Sequence, residues 1–204
     1  MKFIRAGALL WMSSLQYYVA QVVVASASAG YGWGGNTISD LGNTACGMYG
    51  GKFVCSPWHL VMNLSLIILG LTMTAGAVLL RRRFAASKQI TFGFGCMALA
   101  GVGTVVAGVF PENSVGAIHA IGAALPFVLG NVGMIVLGLY VKRLPVVLRA
   151  YTVVSGLLGL MALTLFLVGI HMGIGPGGME RLAAYPQSIW LMIFGLYMLM
   201  RPQR

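Results

Sequence analysis

Six apolar segments, each close to the roughly 20 residues a helix needs to cross a hydrocarbon core, constrain this chain more than any motif. They fall at about 4–25, 58–80, 89–110, 115–141, 146–170 and 184–200. In lipid every backbone polar group must be satisfied internally, which a helix does within its own segment. The expected fold class is therefore all-α: a polytopic membrane protein of six transmembrane helices, with residues 1–204 forming a single bundle domain. Composition agrees, because 59% hydrophobic and 8% charged residues cannot cover the surface of a water-soluble domain.

The net charge of +10 raises the question of nucleic acid. The basic residues sit in short clusters between apolar runs, as topology signals do, so no nucleic-acid partner is expected. With a cytoplasmic amino terminus, 11 of the 13 Lys and Arg fall inside, among them Arg81, Arg82, Arg83, Lys142 and Arg143, and only Lys52 and Arg181 fall outside. Both termini are accordingly expected in the cytoplasm. Lys2 and Arg5 before an apolar run, with Ala25-Ser26-Ala27 behind it, also fit a cleaved signal peptide. The length of the run and its Gln16, Tyr17, Tyr18 and Gln21 favour a retained helix.

The connection 26–57 is the longest and is rich in Gly, Asn, Ser and Thr, the composition of a structured extracytoplasmic loop held by local hydrogen bonds. Cys46 and Cys55 lie within it, in an oxidising compartment, and a disulfide between them is expected, two free thiols being the alternative. Cys96 reads as a small buried residue. Asn63, one turn beyond His59, needs a polar partner among the helices. Pro126 predicts a kink in the fourth helix. Met172 to Gly178 reads as a flexible segment, and Glu180 and Arg181 behind it as solvated charges.

The chain has three carboxylate side chains, Asp40, Glu112 and Glu180, and three histidines, His59, His119 and His171. Under this topology all of them gather at the outer membrane face. Histidine with carboxylate is the donor set of zinc and of general acid and base chemistry. The sharp expectation is that His59, His119 and His171 converge on one divalent ion such as zinc, with Asp40 or Glu112 as fourth ligand or as the base that activates water. The plain alternatives are interfacial histidines held by hydrogen bonds, an Asp40 that ties its loop through backbone amides, and a Glu112 favoured by a helix dipole. No Walker-type phosphate loop, Gly-x-Ser-x-Gly elbow or Cys-x-x-Cys pair occurs. Ionisable groups are scarce near the midplane, which ranks transport lower.

Asn36-Thr37-Ile38-Ser39-Asp40-Leu41-Gly42, Cys55-Ser56-Pro57-Trp58-His59, Phe110-Pro111-Glu112-Asn113 and His119-x-x-Gly122-Ala123-x-x-Pro126-Phe127 resemble the prokaryotic membrane family called domain of unknown function nine-nine-eight. More distantly, Ile-Ser-Asp-x-Gly and the His119 helix are similar to the eukaryotic DRAM, Frag and Sfk proteins. The resemblance implies six helices, the cytoplasmic (inner) membrane of a prokaryote, and lipid handling. It does not extend to His171.

The reading that joins these strands is an outward-facing pocket formed by the first outer loop and helices 2, 4 and 5 that binds or acts on membrane lipid headgroups. Ser39 and Asn63 are the candidate substrate contacts. In its enzyme form it is a metal-assisted hydrolase or transferase with Asp40 and Glu112 as catalytic groups. The alternatives are a non-catalytic lipid-binding or scaffold protein and, third, a small-solute transporter.

Overall fold

The first apolar segment is not one helix, because Ser13 and Ser14 turn their hydroxyls back onto the carbonyls of Leu10 and Trp11, both at 2.7 Å. Such back-bonding competes with the helical ladder, and the segment divides into α1 (Lys2–Met12) and α2 (Leu15–Ala27). A computed structural model describes residues 2–84 and 87–200. After α2 come a short 3₁₀ turn (Ser39–Gly42) and a hairpin of β1 (Gly47–Tyr49) and β2 (Lys52–Val54). Then follow α3 (His59–Arg81), α4 (Lys88–Val109), α5 (Gly116–Leu125), a π-helical turn (Pro126–Gly130), α6 (Asn131–Tyr140), α7 (Val146–Leu167) and α8 (Gly175–Met200). Joined at their breaks, these make six helical stretches long and apolar enough to cross a membrane. The large apolar side chains left exposed, Leu64, Ile68, Leu71, Val78, Leu157 and Met161 among them, are what lipid would cover.

Pro126 has no N–H to give the helical ladder, and the consequence is a wider π turn. The Phe127 carbonyl accepts a hydrogen bond from Asn131 Nδ2 at 2.7 Å, so a polar side chain completes the bonding the turn disturbs. The helices approach closely where glycines meet. A Cβ on Gly70 would stand 2.4 Å from the Gly101 carbonyl, and one on Gly101 would stand 2.6 Å from the Gly70 carbonyl, so neither α3 nor α4 tolerates a side chain there. Below the middle of the bundle Trp11, Trp190 and Phe194 form a buried aromatic core, with ring centroids 4.8 to 5.4 Å apart. Trp11 donates to the Met73 carbonyl and Trp190 to Thr152 Oγ1, so both indole N–H groups are paired.

The last span departs most from expectation. It begins at Gly175 rather than near 184, with Pro176 in its first turn, where a missing N–H is harmless. Glu180 and Arg181 therefore stand on a helix, and each is only 6% exposed. They are not solvated charges.

Candidate functional site

The long loop, residues 28–58, closes one end of the bundle, and a capping box sets its central turn. Thr37 Oγ1 accepts from the Asp40 N–H at 3.2 Å while Asp40 Oδ2 accepts from the Thr37 N–H at 2.9 Å, the reciprocal pairing that starts a helical turn. Asn36 Nδ2 donates to the same carboxylate oxygen at 2.9 Å, and Lys52 from the hairpin forms an ion pair with it. Asp40 is 2% exposed, and its charge is already engaged. The Thr-x-x-Asp spacing at 37–40 carried this role in the sequence.

Arg181 fastens the loop to α8. Its guanidinium donates to the carbonyls of Trp33, Asn36 and Gly177 at 2.8 to 2.9 Å and to the Tyr31 hydroxyl, and it lies 4.8 Å from the Trp33 ring centre. A planar fork of donors can serve several carbonyls at once. Beside it the Glu180 carboxylate accepts the Ile38 N–H. Gly177 makes the approach possible, since a Cβ there would stand 1.9 Å from the Asn36 carbonyl oxygen.

Asn63 Nδ2 donates to the Gly42 carbonyl at 3.0 Å, and Ser56 Oγ to the Leu41 carbonyl at 2.7 Å, fixing the far side of the 3₁₀ turn on α3. Asn63, which needs a polar partner, thus finds it in the loop and anchors it. Cys46 and Cys55 are joined, continuing the hairpin register beyond Gly47 and Val54. Glu112, in the connection between α4 and α5, approaches Asp40. Burial first, then the Asp40 charge and a hydrogen bond to its carboxylate, push the Glu112 carboxyl up to about 8.

Ser39 and His119 meet beneath this lid. Ser39 Oγ is 3.0 Å from His119 Nε2, and the other ring nitrogen, Nδ1, is 2.9 Å from the Phe110 carbonyl and 3.2 Å from that of Ala107. Carbonyls only accept, so Nδ1 carries the proton, Nε2 offers its lone pair, and the Ser39 hydroxyl donates to it. The pair stands at the mouth of a cavity that runs into the bundle. Its volume is about 80 Å³, where one buried water needs roughly 10–15 Å³. Its wall is mostly apolar (Leu66, Leu69, Met73, Phe127 and Leu191); Ser39, His119 and Glu180 supply polar groups at the loop end, and Tyr17, Thr104, Gln187 and Ser188 add polar groups elsewhere along it.

The family described as "Protein of unknown function (DUF998)" matches residues 12–197. The chain belongs to this family. No curated protein and no solved structure matches it. The matched stretch of this DUF998 member contains the loop, the dyad and the Glu180-Arg181 latch.

The expected three-histidine zinc site is not assembled in this DUF998 member. Among the described residues no group of three or more His, Cys, Asp or Glu side chains is placed to hold a metal ion. His59 Nδ1 pairs with the Ser56 carbonyl at 3.0 Å, and His171 rests against the Phe166 ring, 6.3 Å between centres. His119 uses both nitrogens within the protein. The residues the sequence reading passed over are Glu180 and Arg181. Their signal was Pro176, which marks a helix start ahead of them.

Proposed function

We propose that this DUF998 member is a multi-pass protein of a prokaryotic cytoplasmic membrane, termini inside, that binds a lipid with its acyl chain in the bundle cavity and its polar part at the Ser39–His119 mouth. The observation that carries this reading is the mostly apolar wall of the cavity, whose Leu66, Leu69, Met73, Phe127 and Leu191 side chains favour a hydrocarbon chain, with Ser39, His119 and Glu180 offering polar groups at the end closed by the loop. The similarity of the Ser39 and His119 motifs to the DRAM, Frag and Sfk proteins points the same way.

Gentle purification followed by mass spectrometry of the intact protein tests it. The wild type is expected to carry a lipid that Ala123→Phe, which fills the cavity wall, displaces. A wild type that leaves detergent lipid-free, with no lipid rebinding from mixed micelles, would contradict the reading and leave the loop cluster a purely structural tie.

A further inference from the structure

Three arrangements within this fold invite a chemical reading: the basic residues Arg81 and Lys88 around the start of α4, the Asp40–Glu112 acid pair, and the Ser39–His119 dyad. In the first, Arg81 already donates to Thr91 Oγ1 and the Phe84 carbonyl. In the second, Asp40 is held by the capping box and Lys52. The third has a nucleophile, a base whose lone pair faces that nucleophile and a cavity lined by both.

Resting on the lipid-binding reading above, we propose that Ser39 and His119 form a nucleophile and base pair that cleaves or transfers the carboxylic ester of an acyl lipid. Three features support this beyond a simple hydrogen bond. The tautomer is the required one, since the Phe110 and Ala107 carbonyls hold the proton on Nδ1 and turn Nε2 toward Ser39 Oγ. Those carbonyls also stand where the third member of a serine triad would. They lie at the carboxyl-terminal end of α4, the negative end of the helix dipole, and favour the positive charge His119 gains in the reaction. Ser39 sits in the first turn of the 3₁₀ helix, where its own N–H has no intrahelical partner and is the donor left for a developing oxyanion.

The chemistry balances without a metal or redox partner. Ser39 Oγ attacks the ester carbonyl carbon as its proton passes to His119 Nε2. The bond from that carbon to the alcohol oxygen then breaks, and His119 returns the proton to the departing alkoxide, leaving an alcohol and acyl-Ser39. Water, or the hydroxyl of an acceptor lipid, attacks the acyl carbon while giving its proton to Nε2. Ser39 Oγ leaves and takes that proton back. With water the sum is ester plus water to carboxylic acid plus alcohol. Glu180 is a positioning residue here, because its carboxylate holds the Ile38 N–H next to the nucleophile.

The test uses the full-length protein in lipid nanodiscs and a long-chain alkyl fluorophosphonate, which phosphonylates activated serines. Peptide mass mapping of the wild type is expected to place the adduct on Ser39, and His119→Gln, whose amide can still donate to the Phe110 carbonyl, is expected to slow labelling by about 100-fold or more. Release of p-nitrophenol from a p-nitrophenyl acyl ester should fall in parallel. A wild type that retains a lipid in the cavity yet takes no label at Ser39, with ester cleavage unchanged in Ser39→Ala, would overturn the proposal and leave the binding reading intact. Absence of both lipid and label would remove both.

Discussion

The 3.0 Å contact between Ser39 Oγ and His119 Nε2 joins residues 80 positions apart and ties the long loop to the fourth span directly above the cavity. It is one of several such ties, with Asn63 to Gly42 and Arg181 to Trp33 and Asn36, so the loop is a fixed lid rather than a flexible crossing. The contact has consequences for stability that are separate from chemistry. Ser39→Ala removes one hydrogen bond and is expected to cost about 1 kcal/mol. His119→Leu also strands the Phe110 carbonyl and should lower the detergent melting temperature further. Equal shifts for the two variants would show that the carbonyl contacts contribute nothing.

Arg181 is expected to be the least replaceable side chain in the lid. Arg181→Met leaves the carbonyls of Trp33, Asn36 and Gly177 without their donor and the buried Glu180 without its neighbouring cation. The cost expected is about 3 kcal/mol or more. Arg181→Lys should rescue little of it, because an ammonium cannot match the guanidinium fork. Limited proteolysis reads the result directly: cleavage within residues 28–58 should become fast in Arg181→Met while the spans stay protected.

Glu112 predicts how the lid responds to pH. Its folded carboxyl is raised to about 8 from an ordinary value of 4.5, so between those values the native protein holds a proton that the unfolded chain releases. Stability from this group is fully present below about 4.5 and is lost as the pH rises through 8. Glu112→Gln, which mimics the protonated form, should flatten the decline in melting temperature between pH 5 and about 8.5. An identical slope in wild type and variant would assign the pH dependence elsewhere.

The architecture was legible in the sequence because lipid imposes one rule on every segment, and Leu, Val and Gly runs of spanning length report it directly. Pro126 was also read rightly as a disturbance, although its form, a π turn completed by Asn131, depends on a side chain five residues on. The break at Ser13 and Ser14 was hidden, since both hydroxyls satisfy themselves on local carbonyls inside an otherwise apolar run. At the site, the alternative in which Asp40 ties its loop through backbone amides matches its hydrogen bonds, whereas the Gly42 carbonyl that Asn63 meets and the Lys52 that pairs with Asp40 are set by how the loop folds back, which composition does not report. Arg181 was lost because the start of α8 was set by hydropathy, which falls at Glu180-Arg181, instead of by Pro176.

Cysteine reactivity checks the hairpin. The chain has three cysteines, Cys46 and Cys55 are joined, and Cys96 is buried. The native protein should take up no maleimide, the denatured unreduced protein one, and the denatured reduced protein three. Replacing both bonded cysteines by Ser should cost on the order of 2 kcal/mol. Three labels without reductant would break the assignment.

The central claim is that a lipid acyl chain enters the cavity beneath Ser39 and His119, and photochemical cross-linking measures it most directly. A phospholipid carrying a diazirine near the end of one acyl chain, reconstituted with the wild-type protein and irradiated, should attach to cavity-lining residues such as Leu69, Met73 or Leu191. Ala123→Phe should abolish those adducts while leaving adducts on the lipid-facing residues Leu64 and Leu71 unchanged. Adducts confined to the outer faces of the helices in the wild type would contradict the account.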